Sequence, residues 1–434
     1  MPPRLEWLAV TRRPLLVLGT AALSAALSAA LLPPAIGSAE QQAPNPRPIS
    51  YVDWTTTAQL RSGGEHGVSV RRGAVRIATP IGRRTYDDPY GSTTRRYAYS
   101  TWNSPWTSAG FGLTELIASW NARTPRGTWI EVEARGRTVA GRTGGWDSLG
   151  RWASHDRRFH RMSLGPQRDD VARVNVDTLV SRSGVRLASW QLRVTLLRRT
   201  QTSLTPVLTS IGAVASALPD TDTVTRSRSG IANGTRLDVP RYSQMIHRGE
   251  YPQWDNGGEA WCSPTSTAMV LAYWNRGPTP RQYRWVNDAY RQPWVDHAAR
   301  YVFDYRYDGA GNWPFNTAYA ATFGLRAFVT RLRSLREAER FVKAGIPLVA
   351  SIAYGPGELD GSPIGSTSGH LLVISGFTAS GDVVVNDPAA ARAKGVRRTY
   401  DRAQFENAWI PTTGGTAYVI APHGRPLPPS PGNW

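Results

Sequence analysis

The sequence has 434 residues but only one cysteine, Cys262, and two lysines, Lys343 and Lys394. One thiol excludes an internal disulfide and any multi-thiolate zinc site. With lysine almost absent, the cationic charge falls to arginine: 51 Lys+Arg oppose 32 Asp+Glu, for a formal net charge of +19. The arginines are scattered as short pairs such as Arg71-Arg72 and Arg83-Arg84. Nucleic-acid binders gather such charge on one tract, so nucleic acid is not the expected partner, whereas an anionic cell-wall polymer suits a dispersed basic surface. Past Leu32 no apolar run reaches the ~18 residues that a membrane span needs, so the mature protein is expected to have no transmembrane span.

The one long apolar run is N-terminal. Arg4, Arg12 and Arg13 precede Leu15 to Leu32, and Gly37-Ser38-Ala39 supplies the small residues of a cleavage site. Residues 1–39 therefore read as an export signal, and Thr11-Arg12-Arg13-Pro14-Leu15-Leu16 is similar to a twin-arginine signal. The expected location is secreted or cell-wall associated. An exported chain that forms no disulfide directs attention to its single thiol.

Between residues 50 and 199, short β-branched and aromatic runs alternate with Gly, Ser and Asp turns, as in GVSVRRGAVRIA, TWIEVEARG, VARVNVDTLV and WQLRVTLL. This pattern predicts an all-β sandwich, jelly-roll-like, as a possible binding module. Residues 200–236, rich in Ser and Thr, read as a linker, which would make the two halves separable. Residues 237–423 change character. WCSPTSTAMVLAYW reads as a loop entering a buried helix, and Ser334-Leu335-Arg336-Glu337 as a capping box closed by Gly345 at the far end of its helix. IPLVASIAY, HLLVISGF, DVVVNDP and TAYVIAP read as strands, so this part is α+β. Residues 424–434, with four prolines, read as a disordered tail.

Cys262 begins the predicted helix, where backbone N–H groups and the helix dipole favour a thiolate. A histidine and an aspartate follow it in the chain, and a glutamine precedes it. His370 opens HLLVISGF, and the turn TASG returns the chain through DVVVNDP, so the two strands form a hairpin with His370 beside Asn386-Asp387. If its loop is even, residues whose numbers have an odd sum share a face, which places Asp387 with His370 and turns Asn386 away. His155, Asp156 and His160 lack the spacing of helical metal ligands, and Gly309-Ala310-Gly311 closes a turn and is too short for a phosphate loop. Trp102, Trp106 and Trp146 could stack on sugars.

The strings VPRYSQ, WCSPTSTAMVLAYW, GHLLVISGF and VVVNDP together resemble the bacteriocin-processing (double-glycine) cysteine peptidase family, a papain-superfamily branch. The resemblance spans about Leu237 to Pro422. The half before it resembles the β-rich domain that precedes such peptidase domains in actinobacterial proteins. The family implies a papain-like fold with Cys262 as nucleophile, His370 as general base and acid, Asp387 as orienting residue and Gln244 as oxyanion donor, without metal or cofactor. Gln253, nearer to Cys262 in the chain, competes with Gln244. Ser263 stands where the family usually has glycine. The expected activity is that of an exported cysteine peptidase or amidase, hydrolysing a peptide-like bond in a peptide or cell-wall peptide substrate. The alternative from another class is a non-catalytic cell-wall or glycan-binding protein with a scaffold papain-like domain.

Overall fold

Alternating β-branched and aromatic residues in the first half of the chain form antiparallel strands. The computed structural model describes residues 47–92 and 94–434; the expected export signal, 1–39, lies outside the described residues. An eight-stranded sheet is built around Glu115–Arg123 and Val207–Ser216, and a seven-stranded sheet around Thr128–Thr138 and Leu187–Arg199. The hairpins Val68–Arg71 with Ala74–Ile77 and Ala172–Asn175 with Thr178–Ser181 lie where the sequence pattern puts them. Trp54 of the first sheet meets Trp102 and Trp190 of the second edge-on, at 5.8 and 5.9 Å between ring centroids, so the sheets bury a common core. Both faces of Thr128–Thr138 are covered. Ile130, Val132 and Ala134 enter that core, while Trp129 joins Tyr86, Tyr97 and Phe159 in a smaller aromatic cluster and Glu131 is held by Arg84 and Arg151.

The C-terminal part is α+β. Its six-stranded antiparallel sheet runs in the order Leu325–Arg331, Thr416–Pro422, Leu348–Tyr354, Thr367–Phe377, Val383–Asn386, Arg397–Tyr400. The helix Cys262–Tyr273 is buried on every side from Ser263 to Leu271, as expected of a core helix with small and apolar residues all round. It docks on the sheet where the Ser266 hydroxyl donates to the Leu371 carbonyl at 3.0 Å.

Three expectations fail for identifiable reasons. The supposed linker 200–236 contains the strand Val207–Ser216, paired with Ile49–Trp54 and Glu115–Arg123. A strand buried on both faces carries no alternation, so Ile211, Ala213, Val214 and Ala215 show no period-two signal. The tail 424–434 is pinned: Asn433 is 0% exposed and donates to the Arg331 carbonyl at 2.6 Å and to Glu337 at 2.9 Å, and Trp434 packs on Phe341. Proline excludes regular pairing, but one buried amide with its hydrogen bonds made suffices to hold a chain end. The capping box at Ser334 does not close, because Glu337 bonds the backbone and guanidinium of Arg333. Gly345, with φ +75, ends that helix as the sequence suggests.

The two halves do not close separate cores. The Asn121 amide donates to the Ala327 carbonyl at 2.6 Å and accepts from the Ala327 N–H, and the Val329 N–H donates to Ser119 at 2.8 Å. Phe315 inserts its ring between Trp120 and Trp152. Asn121→Ala should therefore destabilise the whole chain by about 1–3 kcal/mol. A chain starting at Ser227 should be insoluble or lack a cooperative thermal transition; a soluble, cooperatively melting fragment would contradict the shared core.

Candidate functional site

Cys262 is the first residue of its helix and is half-buried. The preceding residue, Trp261, is fully buried, donates its indole N–H to the Trp254 carbonyl at 2.6 Å, and offers no side-chain cap to the helix. The thiol thus sits at an uncapped helix N-terminus, where backbone N–H groups favour negative charge. Ser263, fully buried, shares a 2.9 Å hydrogen bond with the Tyr418 hydroxyl, so the residue that departs from the usual glycine has a partner of its own.

His370 and Asp387 come from neighbouring strands. Their Nε2···Oδ1 distance is 2.8 Å, which leaves Nδ1 of the ring for the Cys262 thiol, with which His370 also interacts. The hairpin loop is odd, with five residues (378–382) between the paired Phe377 and Val383. A bulge between Ile374 and Gly376 then shifts the register by one, so that Val373 faces Asn386. Odd loop and bulge cancel, and Asp387 lies on the face of His370 while Asn386 turns away to donate to the Val239 and Pro240 carbonyls. Gly376 lets a neighbouring segment cross the hairpin closely, because a Cβ there would stand 2.6 Å from the Thr235 carbonyl.

Both charged groups are buried. Burial alone would lower the His370 pKa, but attraction and a hydrogen bond from Asp387, aided by Cys262, raise it to about 10. Burial alone would raise that of Asp387, but His370, the Tyr400 hydroxyl at 2.7 Å and the Ala389 N–H at 3.0 Å hold it below the usual range. Imidazolium beside carboxylate is the favoured state.

Gln244 is buried and bonded to the segments on either side of the site, next to Asp387 and just before Cys262. The Gln244 N–H donates to the Pro388 carbonyl, and its side-chain Nε2 donates to the Glu259 carbonyl at 2.6 Å, three residues before the thiol. Gly258 lets this turn lie close, since a Cβ there would meet the Gln244 carbonyl at 2.3 Å. Gln253 is exposed in a turn. Tyr400, whose hydroxyl holds the second oxygen of Asp387, carries no signal in the sequence beyond an aromatic in a short strand. His155, Asp156 and His160 are dispersed: Asp156 pairs with Arg300 at 2.5 Å and His160 with Asp88 at 3.1 Å. Trp102 is fully buried, while Trp106 and Trp146 carry Arg135, Arg137 and Arg193 over their rings.

A half-buried thiol at a helix start, facing a histidine that a buried carboxylate holds, is the constellation of a thiol–imidazole site on an α+β scaffold. Residues 50–216 match the Peptidase C39 N-terminal domain, and residues 236–417 match the Peptidase C39 like family. Together the two matches support a C39-family peptidase of actinobacterial type. The family points to peptidase function and peptide substrates. No curated protein shows a significant match to the chain.

The ion pair predicts how stability depends on pH. His370 is raised from 6.5 to about 10, so its contribution is complete below about pH 6.5 and lost as pH rises toward 10. Asp387 is lowered from 3.8, so its contribution is present above that value and lost as pH falls below it. The stability difference between wild type and Asp387→Asn in urea unfolding should be largest between these limits and shrink on both sides. A difference independent of pH would contradict the pair. Tyr400→Phe, which removes a hydrogen bond to a charged group, should cost about 1.5–3 kcal/mol in the same assay.

Proposed function

We propose that the protein is an exported cysteine peptidase acting on a peptide or cell-wall peptide bond. In this reading the 237–423 region is papain-like, and the preceding β region is a sandwich that serves as a wall-binding module through the surface it keeps exposed. The Cys262 thiolate attacks the carbonyl and the His370 imidazolium gives its proton to the leaving amine; the neutral imidazole then takes a proton from the water that hydrolyses the acyl-enzyme and returns the thiolate. Asp387 orients the imidazole, and the helix-start N–H groups with Gln244 stabilise the oxyanion. The burial of His370 between Cys262 and Asp387 carries the reading. Export rests on residues 1–39 and the avoidance of disulfides, and secretion or cell-wall association follows from it. The scaffold alternative is less favoured, because the tryptophans that would stack on sugars are buried or covered by arginine.

The decisive experiment is labelling with a thiol-directed peptidyl probe, followed by turnover on a quenched peptide library. Wild type should be labelled in the folded state, and Cys262→Ala should lose both labelling and turnover while keeping its folding transition. Labelling only after unfolding would overturn the nucleophile assignment. Asp387→Ala should lower turnover by about 10²–10⁴-fold. Asn386→Ala should act chiefly on stability, through its two carbonyl partners. Equal losses of turnover in two stably folded variants would count against Asp387 as the orienting residue.

A further inference from the structure

A second cluster of ionisable groups lies apart from His370 and Asp387. His247 ends the short turn Gln244–His247, Glu250 follows three residues later, and Asp296 projects from the first part of the helix Pro293–Val302. One ligand atom from each lies within 4.8 Å of the other two. His247 Nδ1 is 2.7 Å from a Glu250 oxygen and 3.4 Å from an Asp296 oxygen. His247 and Asp296 are 0% exposed and Glu250 is 8% exposed. Neither Asp296 oxygen makes a hydrogen bond, although the residue lies near a helix N-terminus. The nearest arginine on the same helix, Arg300, is committed to Asp156.

We propose that His247, Glu250 and Asp296 form a divalent metal site of the zinc class. The competing arrangement is a protonated imidazole shared by the two carboxylates. With both carboxylates ionised it accounts for Nδ1 but leaves one net negative charge in a buried place and the Asp296 oxygens short of donors, a costly combination; a proton kept on Glu250, which burial and Asp296 favour, is the arrangement the metal must displace. A divalent ion with neutral imidazole balances the charge and takes a lone pair from each residue. Imidazole nitrogen with two carboxylate oxygens suits zinc and disfavours calcium, which takes oxygen ligands. Zinc lies about 2.0–2.2 Å from such ligands, which sets tetrahedral ligand atoms roughly 3.3–3.6 Å apart. The His247–Asp296 separation already fits, and the His247–Glu250 contact needs to open by about 0.7 Å.

The role of the ion is positional. His247 closes the turn that begins with Gln244, and its ring lies 5.9 Å from that of Trp261, which precedes Cys262. Metal at this point ties both segments to the Pro293–Val302 helix.

The test uses the full-length protein carrying Cys262→Ala, so that the thiol cannot compete for the ion. Metal content after dialysis is read by inductively coupled plasma mass spectrometry, and Zn²⁺ binding by calorimetry and thermal shift. The expected result is one zinc per chain and a thermal midpoint raised by at least about 3 °C with excess Zn²⁺. Added Asp296→Asn or Glu250→Gln should weaken binding at least tenfold. Should either variant fail to fold, the parent decides: no zinc retained and no calorimetric binding overturns the proposal. Undiminished binding in folded Asp296→Asn would also overturn it, by placing the ion elsewhere.

Discussion

His370 and Asp387 are charged groups withdrawn from water, at 3% and 0% exposure, and much of the C-terminal architecture serves to make that tolerable. A buried pair of this kind is stable only when its remaining lone pairs and protons find partners. The Tyr400 hydroxyl and the Ala389 N–H complete Asp387, and the thiol completes His370. The chain around them is arranged accordingly. The Ser243 hydroxyl donates to the Ala390 carbonyl at 2.5 Å and the Gln244 N–H donates to the Pro388 carbonyl, so the loop after Asp387 is stitched to the segment carrying Gln244. Asn386, facing the other way, anchors the stretch just before it at Val239 and Pro240. One hairpin thus places both partners of the ion pair and the glutamine.

The β domain has a structural part in this arrangement. Leu325–Arg331 is the edge strand of the six-stranded sheet, and an edge exposes unpaired backbone groups. Here Ala327 and Val329 are answered by Asn121 and Ser119 of the strand Glu115–Arg123, and Arg331 pairs with Glu115. The chain end adds a second brace, with the Thr330 hydroxyl on the Asn433 carbonyl and the Tyr51 N–H on the Gly432 carbonyl. The first half of the chain therefore caps the sheet that holds the site, and both halves draw on one core. Of the tryptophans that could have offered a binding face, Trp102 is buried in that core, and Trp106 and Trp146 lie under arginines of neighbouring strands.

By itself the sequence determined the features that depend on neighbours in the chain. Period-two alternation marked the Thr128–Thr138 and Leu187–Arg199 strands, Gly345 marked a helix end, and a lone cysteine before Ser-Pro marked a helix start. Residue type and order drew attention to Cys262, His370 and Asp387, while Gln244 rested on the family resemblance, with Gln253 competing for the same role. Tertiary structure decided what depends on pairing across long separations. The odd hairpin loop and the bulge near Gly376 each reverse the face of Asp387, and only together do they return it to His370. Val207–Ser216 is covered on both faces by strands distant in the chain, which removes the alternation that would have announced it. His247 and Glu250 meet Asp296 only because a turn packs against a helix that begins more than forty residues later. Local patterns record periodicity and caps, whereas burial, register and the meeting of buried charges follow from which surfaces the folded chain brings together.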